Sequence, residues 1–167
     1  MHTYPDEKAS TEAVLRAYPD ICIDRLNRRE ILMEMATSTP CSDEPPGKNS
    51  SGGNASPQQE RYVMALERDH RLKRAEQIIR AIRDGEAEIS STHSKVMKAI
   101  YFNGMRTIEA AKATSLSPSY IRRIKDEIQE LMCPYCVPVY PLVCAFRAEQ
   151  REHRTELLRK AEEGNKE

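Results

Sequence analysis

Hydrophobic residues recur at helical spacing along most of the chain, which predicts an all-α fold. In the first such segment, between Thr11 and Ala36, Pro19 predicts a break. Proline lacks the N–H that a helix interior needs but fits a first turn. We therefore expect a short helix that ends near Ala17 and a longer one that begins at Pro19. The apolar positions of the longer helix form an irregular stripe of Ile23, Leu26, Ile31 and Met33.

A polar segment separates this region from the next helical pattern. Residues 38–59 are dominated by Pro, Gly, Ser and Asn and have too little apolar surface to bury, so we expect a flexible linker there. From Pro57 to Arg83, six positions, mostly small or apolar, are spaced by three and four, which is typical of a coiled-coil seam, although the pattern is weaker in its first half. The linker lets this helix fold back as an antiparallel hairpin, and a seam between two copies is equally permitted. The seam positions are Ala65, Arg68, Leu72, Ala75, Ile79 and Ile82.

The capping signals of three short helices lie in the next part of the chain, residues 90–132. Ser90 or Ser91 is placed to cap the first helix, whose apolar side chains share one face. The pair Asn103-Gly104 supplies the left-handed residue that ends such a helix. We therefore expect the first helix to end at this pair. Its apolar positions are Val96, Met97, Ile100 and Tyr101.

Two further helices follow, with a short turn between them. We expect Thr107 to cap the helix Ile108–Thr114, and Ser117 to cap the next one with Pro118 at its first position. Short helices joined by about three residues are typical of a helix-turn-helix unit. Two alanines in the first of these helices allow the close approach that the unit needs. The residues expected to face inward are Ala110, Ala111, Leu116, Ile121, Ile124, Ile128 and Leu131.

The outward side of this unit is a candidate site for double-stranded DNA. In a helix-turn-helix, the start of the second motif helix meets base edges and flanking basic residues bind phosphates. From Ser117 to Lys125 the chain carries three positive charges and no negative one. We expect Arg122, Arg123 and Lys125 to bind phosphates, with Arg122 also a candidate for base contacts. The predicted DNA-binding residues are Thr107, Ser117, Ser119, Tyr120, Arg122, Arg123 and Lys125.

Composition narrows the classes of function. The hydrophobic fraction is 39%, aromatics are 5% and Trp is absent, which suits a lean helical protein better than a large enzyme with a deep pocket. The chain has 26 basic and 26 acidic residues, so any affinity for nucleic acid must come from local clustering. No apolar run approaches the ~20 residues of a membrane helix, and the amino terminus lacks a signal-peptide pattern. We expect a cytoplasmic protein without membrane contact.

Catalytic motifs and complete metal-ligand patterns are absent from the sequence. It has no glycine-rich phosphate loop and no Gly-x-Ser-x-Gly elbow, and its four histidines share no ligand spacing. We therefore expect no enzyme activity and no cofactor. Cys133, Cys136 and Cys144 are weak zinc candidates, because a zinc site needs four ligands. We expect the prolines near these cysteines to end the helix that begins at Pro118. An exposed helical tail is expected to follow, from about Ala145 to Glu163.

A family pattern runs through residues 96–131, which read VMKAIYFNGMRTIEAAKATSLSPSYIRRIKDEIQEL. This stretch resembles the −35-reading domain of sigma factors, and resembles more closely the phage late-gene regulators of the ArpU and RinA kind. Ala110 stands where that family has isoleucine or valine, and Ser115 stands where it has glycine. The matching motifs are Leu15-Arg16-Ala17-Tyr18-Pro19, Tyr101-Phe102-Asn103-Gly104, Ile108-Glu109-Ala110-Ala111 and Leu116-Ser117-Pro118-Ser119.

The resemblance implies a sequence-specific transcriptional regulator of phage or prophage type, acting in a bacterial host cell. It implies an all-α chain in which a helical amino-terminal region and a long helix precede a sigma-like helix-turn-helix. One unit with few basic residues binds DNA weakly, so we expect a homo-oligomer or an RNA polymerase partner. Two alternatives stay open, because a fold does not determine a role. They are a terminase small subunit and a module that docks on RNA polymerase without touching DNA.

These expectations divide the chain into five parts. They are an amino-terminal helical segment (1–37), a flexible linker (38–59), a long helix (60–89), the helix-turn-helix domain (90–132), and a Cys/Pro segment with an exposed helical tail (133–167).

Overall fold

The computed structural model of the chain describes residues 4–38 and 56–164. The described residues form helices and no strand, so the prediction of an all-α fold is confirmed. A π-helical turn, Lys98–Phe102, extends the fourth helix, and a 3₁₀ turn, Val137–Val139, joins the last two. The α-helices are α1 (Tyr4–Ser38), α2 (Pro57–Arg68), α3 (His70–Glu88), α4 (Ser91–Met97), α5 (Thr107–Thr114), α6 (Pro118–Cys136) and α7 (Tyr140–Gly164). Most of the predicted linker, residues 39–55, lies outside the described residues.

The first helix runs without a break through Pro19, so the predicted break is wrong. An interior proline removes one backbone hydrogen bond and crowds the preceding turn, at a cost of about 3 kcal/mol. Fully buried side chains lie on both sides of it, with Leu15 and Ile21 each 0% exposed. The packing of α1 along the core offsets the local cost of the proline, and the local sequence does not contain that information.

The buried face in the second half of α1 differs from the predicted one. Its buried apolar residues are Ile21, Leu32 and Ala36. The predicted stripe points to solvent instead. When a helix has apolar residues on two faces, the spacing of hydrophobic positions does not indicate which face is buried. The exposed stripe consists of Ile23, Leu26, Ile31 and Met33, which are between 44% and 58% exposed.

The long helix predicted over residues 60–89 is divided at Asp69. This residue has an extended backbone (φ −77°, ψ 104°), and it ends α2 and precedes α3. Its Oδ1 accepts a hydrogen bond from the N–H of Leu72 at 2.8 Å, and its Oδ2 lies 2.6 Å from Nη2 of Arg28 in α1. The cap and the ion pair together favour a helix boundary over a continuous helix.

The helices α2 and α3 pack against α1 as an antiparallel hairpin, one of the two arrangements that the sequence permits. Asp24 of α1 binds Arg71 of α3, whereas Ala36, later in α1, lies beside Gln59 at the start of α2. Residues later in α1 therefore lie beside residues earlier in the α2–α3 segment, so the two run in opposite directions. The buried seam residues are Leu72, Ala75, Ile79 and Ile82, all in α3.

The prolines do not end α6 where we predicted. Pro134 lies inside α6, which continues to Cys136, and the 3₁₀ turn leads directly into α7. The helical stretch Pro118–Glu163 contains a segment that is long and apolar enough to cross a membrane by length and composition alone. A single helix of this kind is weak evidence of a membrane span. The side chains that this stretch buries in the core include Met132, Cys136, Val143 and Phe146.

Ion pairs attach α7 to the hairpin. Glu149 of α7 binds Arg74 of α3 and lies 3.9 Å from Nε of Arg71, which also binds Asp24 of α1. Three helices thus share one charge network, and that network holds the first half of α7 against α1 and α3.

Gly104 has the left-handed backbone that the sequence predicts, with φ 65°, and no atom lies within 4 Å of an added Cβ. Gly104→Ala is expected to lower the free energy of unfolding by about 1 kcal/mol, because an L side chain strains this backbone without adding a clash. Urea unfolding measures the loss. Gly104→Asn is the control and is expected to lose less, since Asn adopts left-handed backbone more readily. An equal loss in both variants would contradict this explanation.

Candidate nucleic-acid interface

Three helical elements build the helix-turn-helix unit: α4 with its π-helical turn, α5 and α6. Their inward side chains form a common core, as predicted. One prediction at the edge of this core is wrong: Leu131 is 47% exposed, and Met132 is buried instead. The inward side chains are Val96, Met97, Ile100, Ala110, Ala111, Ile121, Ile124 and Ile128, none more than 6% exposed.

The start of α5 is capped differently from our prediction. Thr107 is the first helical residue, half-buried, and Arg106 occupies the cap position. Oε2 of Glu109 accepts a hydrogen bond from the backbone N–H of Arg106 at 2.7 Å. A carboxylate in the first turn replaces a threonine hydroxyl here, and it also interacts favourably with the helix dipole.

The turn between α5 and α6 depends on a left-handed serine. Ser115 has φ 58° and ψ 34°, a conformation that costs an L residue about 1–2 kcal/mol. The backbone N–H of Leu116 donates to the carbonyl of Ala111 at 3.0 Å, and Leu116 packs against the core. The serine thus adopts a backbone conformation that glycine would adopt without this cost.

The amino-terminal end of α6 is open to solvent. Oγ of Ser117 accepts a hydrogen bond from the N–H of Tyr120 at 3.2 Å, so the predicted cap is confirmed. The same oxygen lies 3.2 Å from Oγ of Ser119. Both serines and Tyr120 are exposed. This end of the helix combines hydroxyl groups, an aromatic ring and the positive end of the helix dipole.

Two of the three predicted phosphate ligands lie on the outer face of α6. Arg122 is exposed and makes no ion pair with any described residue. The guanidinium of Arg123 lies 4.8 Å from the ring centroid of Tyr120, and its Nε lies 3.4 Å from Oε1 of Glu127. An exposed ion pair of this kind contributes about 0.2–1 kcal/mol, which phosphate contacts can replace.

The third predicted phosphate ligand, Lys125, is directed towards α1. Its Nζ lies 3.8 Å from Oε1 of Glu12 and 5.9 Å from the ring centroid of Tyr101. The guanidinium of Arg16 lies 5.5 Å from the same centroid. Lys125 therefore joins the unit to α1, and its position favours a structural role. Sequence reasoning missed this because α1 is distant along the chain.

Two further exposed cations belong to the unit and were missed by sequence reasoning. Arg106 occupies the cap position of α5, and Lys112 lies in the last turn of this helix. From Arg106 to Lys125 the chain has five basic residues and one acidic residue, Glu109, whose carboxylate is bound to the backbone. The excess of positive charge over residues 106–125, which includes α5 as well as the start of α6, was the signal that could have identified them.

The three clustered cysteines occupy different environments. Cys133 is half-buried, Cys136 is buried and Cys144 is exposed. Burial and the neighbouring Cys133 raise the pKa of Cys136 to about 12, which keeps its free thiol protonated and unreactive. Among the described residues, no group of three or more His, Cys, Asp or Glu could hold a metal ion.

Comparison of the chain with known family models, with curated proteins and with solved structures found no match. The interface therefore has to be interpreted from its own geometry. The features that bear on function are the open end of α6, the two outward arginines, and the cations Arg106 and Lys112 of α5.

Proposed function

We propose that this chain is a DNA-binding transcriptional regulator of phage or prophage type, acting in the cytoplasm of a bacterial host cell. The observation that carries the proposal is the exposed amino-terminal end of α6 within a helix-turn-helix unit. Ser117, Ser119 and Tyr120 would lie at the groove edge, while Arg122 and Arg123 bind phosphates. The role needs no cofactor and no catalytic step.

The charges of the unit support weak, salt-sensitive binding. The two outward arginines and the two cations of α5 supply at most four phosphate contacts. The logarithm of the affinity then falls with the logarithm of salt concentration, with a slope of about −0.9 for each phosphate contact. A second copy or RNA polymerase would supply the remaining affinity.

Replacing both outward arginines tests this proposal. Arg122→Ala with Arg123→Ala is expected to weaken binding to double-stranded DNA about tenfold or more at low salt and to reduce the salt slope by about two. Fluorescence anisotropy on a mixed DNA fragment at several salt concentrations measures both quantities. The control, Arg159→Ala with Lys160→Ala, removes the same charge from the exposed end of α7 and is expected to leave binding unchanged. Equal effects of the two double variants would contradict the proposal.

A second candidate is a module that docks on RNA polymerase without touching DNA. The pairing of Lys125 with Glu12 and of Arg123 with Glu127 favours it, because these contacts occupy two of the three cations predicted to bind phosphate. In that case the intact chain would bind no DNA at either low or high salt, and its binding to purified polymerase would persist in the Arg122→Ala, Arg123→Ala variant.

A further inference from the structure

The second half of α1 carries an apolar face that the described chain leaves uncovered. Ile23, Leu26 and Met33 are 57–58% exposed, on the side of the helix opposite the buried Ile21 and Leu32. At about 100° per residue these three side chains lie within about 80° of one another around the helix. We call this surface the outer face of α1. A helix that is apolar on opposite sides is typical of a buried helix, so a partner is expected on this face.

The outer face of α1 is also acidic. Asp20, Glu30 and Glu34 are exposed beside its apolar residues, and none of them forms an ion pair with a described residue. The nearby arginines Arg28 and Arg29 are bound to carboxylates of the hairpin partner. The expected partner is therefore a surface that combines apolar and positively charged side chains.

A surface of that kind exists on α7. Arg147, Arg151, Arg154 and Leu158 are spaced by four, three and four residues, which places them on one side of the helix. We call this surface the basic stripe. Arg147, Arg151 and Arg154, with Gln150, line an open cleft of about 450 Å³. Leu158 is 59% exposed.

The arginines of the basic stripe lack carboxylate partners among the described residues. Arg147 donates to the carbonyl of Ala13 at 3.1 Å, and Arg151 donates to the carbonyl of Arg147 at 3.3 Å. By contrast, Arg159 on another side of α7 binds Glu156 and Glu163. The stripe thus keeps three positive charges available to an incoming acidic surface.

We infer that the basic stripe of α7 in one copy of the chain binds the outer face of α1 in a second copy. The two surfaces match in charge, and each has exposed apolar side chains that the contact would bury. Pairing α1 with α1 would oppose carboxylates, and pairing α7 with α7 would oppose arginines, so like charges disfavour both alternatives. The contact also brings together two helix-turn-helix units, although the inference does not depend on DNA binding.

A charge-exchange experiment on the full chain tests this inference in the absence of DNA. Light scattering is expected to give an assembled mass that falls as salt rises. Arg151→Glu with Arg154→Glu, and separately Glu30→Lys with Glu34→Lys, are each expected to raise the dissociation constant at least tenfold. Combining all four substitutions restores opposite charges across the contact and is expected to recover assembly. Circular dichroism checks that every variant stays helical, which we expect because all four side chains are exposed.

The apolar part of the contact has its own test. Ile23→Ser with Leu26→Ser is expected to weaken assembly without loss of helix, since both side chains are exposed. As a control for charge, Lys73→Glu with Lys95→Glu changes two exposed lysines outside both surfaces and is expected to leave the mass unchanged.

Several outcomes would overturn the inference. The first is a monomer under all conditions. The second is an assembly whose dissociation constant is unchanged by both charge reversals, and the third is a four-substitution variant that assembles no more tightly than the double variants. A closed ring of many copies that responds to the reversals would support the contact. It would also move the proposed function from regulation to DNA packaging by a terminase small subunit. Because mass is measured without DNA, failure of DNA binding leaves this result intact.

Discussion

Ile124→Ala is expected to lower the free energy of unfolding by about 2–5 kcal/mol. Ile124 is 0% exposed and belongs to the hydrophobic core that the helix-turn-helix unit shares with α1, α3 and α7. The substitution removes the transfer free energy of the deleted methyl and methylene groups and leaves a cavity that the close-packed helices fill only in part. Urea unfolding followed by circular dichroism measures the difference.

Two matched variants control this experiment. Ile108→Ala makes the same chemical change in α5, where Ile108 is 63% exposed, and is expected to alter stability by no more than about 0.5 kcal/mol. Ile124→Val removes a single methylene and is expected to cost about 0.5–1.5 kcal/mol. Similar losses for Ile124→Ala and Ile108→Ala would show that Ile124 is not a core residue.

Asp69→Ala is expected to lower the free energy of unfolding by about 2–3 kcal/mol, because it removes two interactions at once. The cap on Leu72 contributes about 1 kcal/mol, and the charged hydrogen bond to Arg28 contributes about 1.5 kcal/mol or more. The substitution also leaves Arg28 without its carboxylate beside a mostly buried site. Asp69→Asn is the matched control: Asn retains the cap, loses the charge, and should lose less stability.

The pH dependence of stability separates these two interactions. Burial alone would raise the pKa of Asp69, but hydrogen bonds from Arg28 and Leu72 outweigh it and lower that pKa. The ionised carboxylate therefore stabilises the fold fully above the unfolded pKa of about 3.9, and this stabilisation is lost as pH falls through the lower folded pKa. Unfolding of Asp69→Asn is expected to depend less on pH below about 4 than that of the unchanged chain. Identical pH profiles would exclude a role for the charge.

The helix-turn-helix unit was largely predictable because its signals are local. Ser117 caps the helix that begins at Pro118, and Gly104 adopts left-handed backbone, both as predicted. The inward positions of α5 and α6 followed from helical spacing, with Leu131 as the exception. Caps, turns and periodicity involve residues within a few positions of one another, so they can be read without knowledge of the rest of the chain.

Several of the predictions that failed involve partners far away in the sequence. Pro19 is accommodated because residues before and after it in α1, such as Leu15 and Ile21, are buried in the core. Asp69 ends a helix because its carboxylate is paired with Arg28 of α1. Lys125 is directed inward because Glu12 lies beside it. In each case interactions with another helix outweigh the local preference.

By itself the sequence determined that the chain is helical, that Ser117 caps α6 and Gly104 is left-handed, and which side chains of α5 and most of those of α6 face inward. Only the tertiary structure decided which face of α1 is buried and that α2 and α3 fold back on α1. It also decided that α3 and α6 approach so closely at Gly85 that an added Cβ would lie 2.8 Å from Cε of Met132. The physical reason is the sequence separation over which each interaction acts. Helix propensity and capping act over one or two helical turns, whereas burial depends on side chains that meet only after the helices have packed.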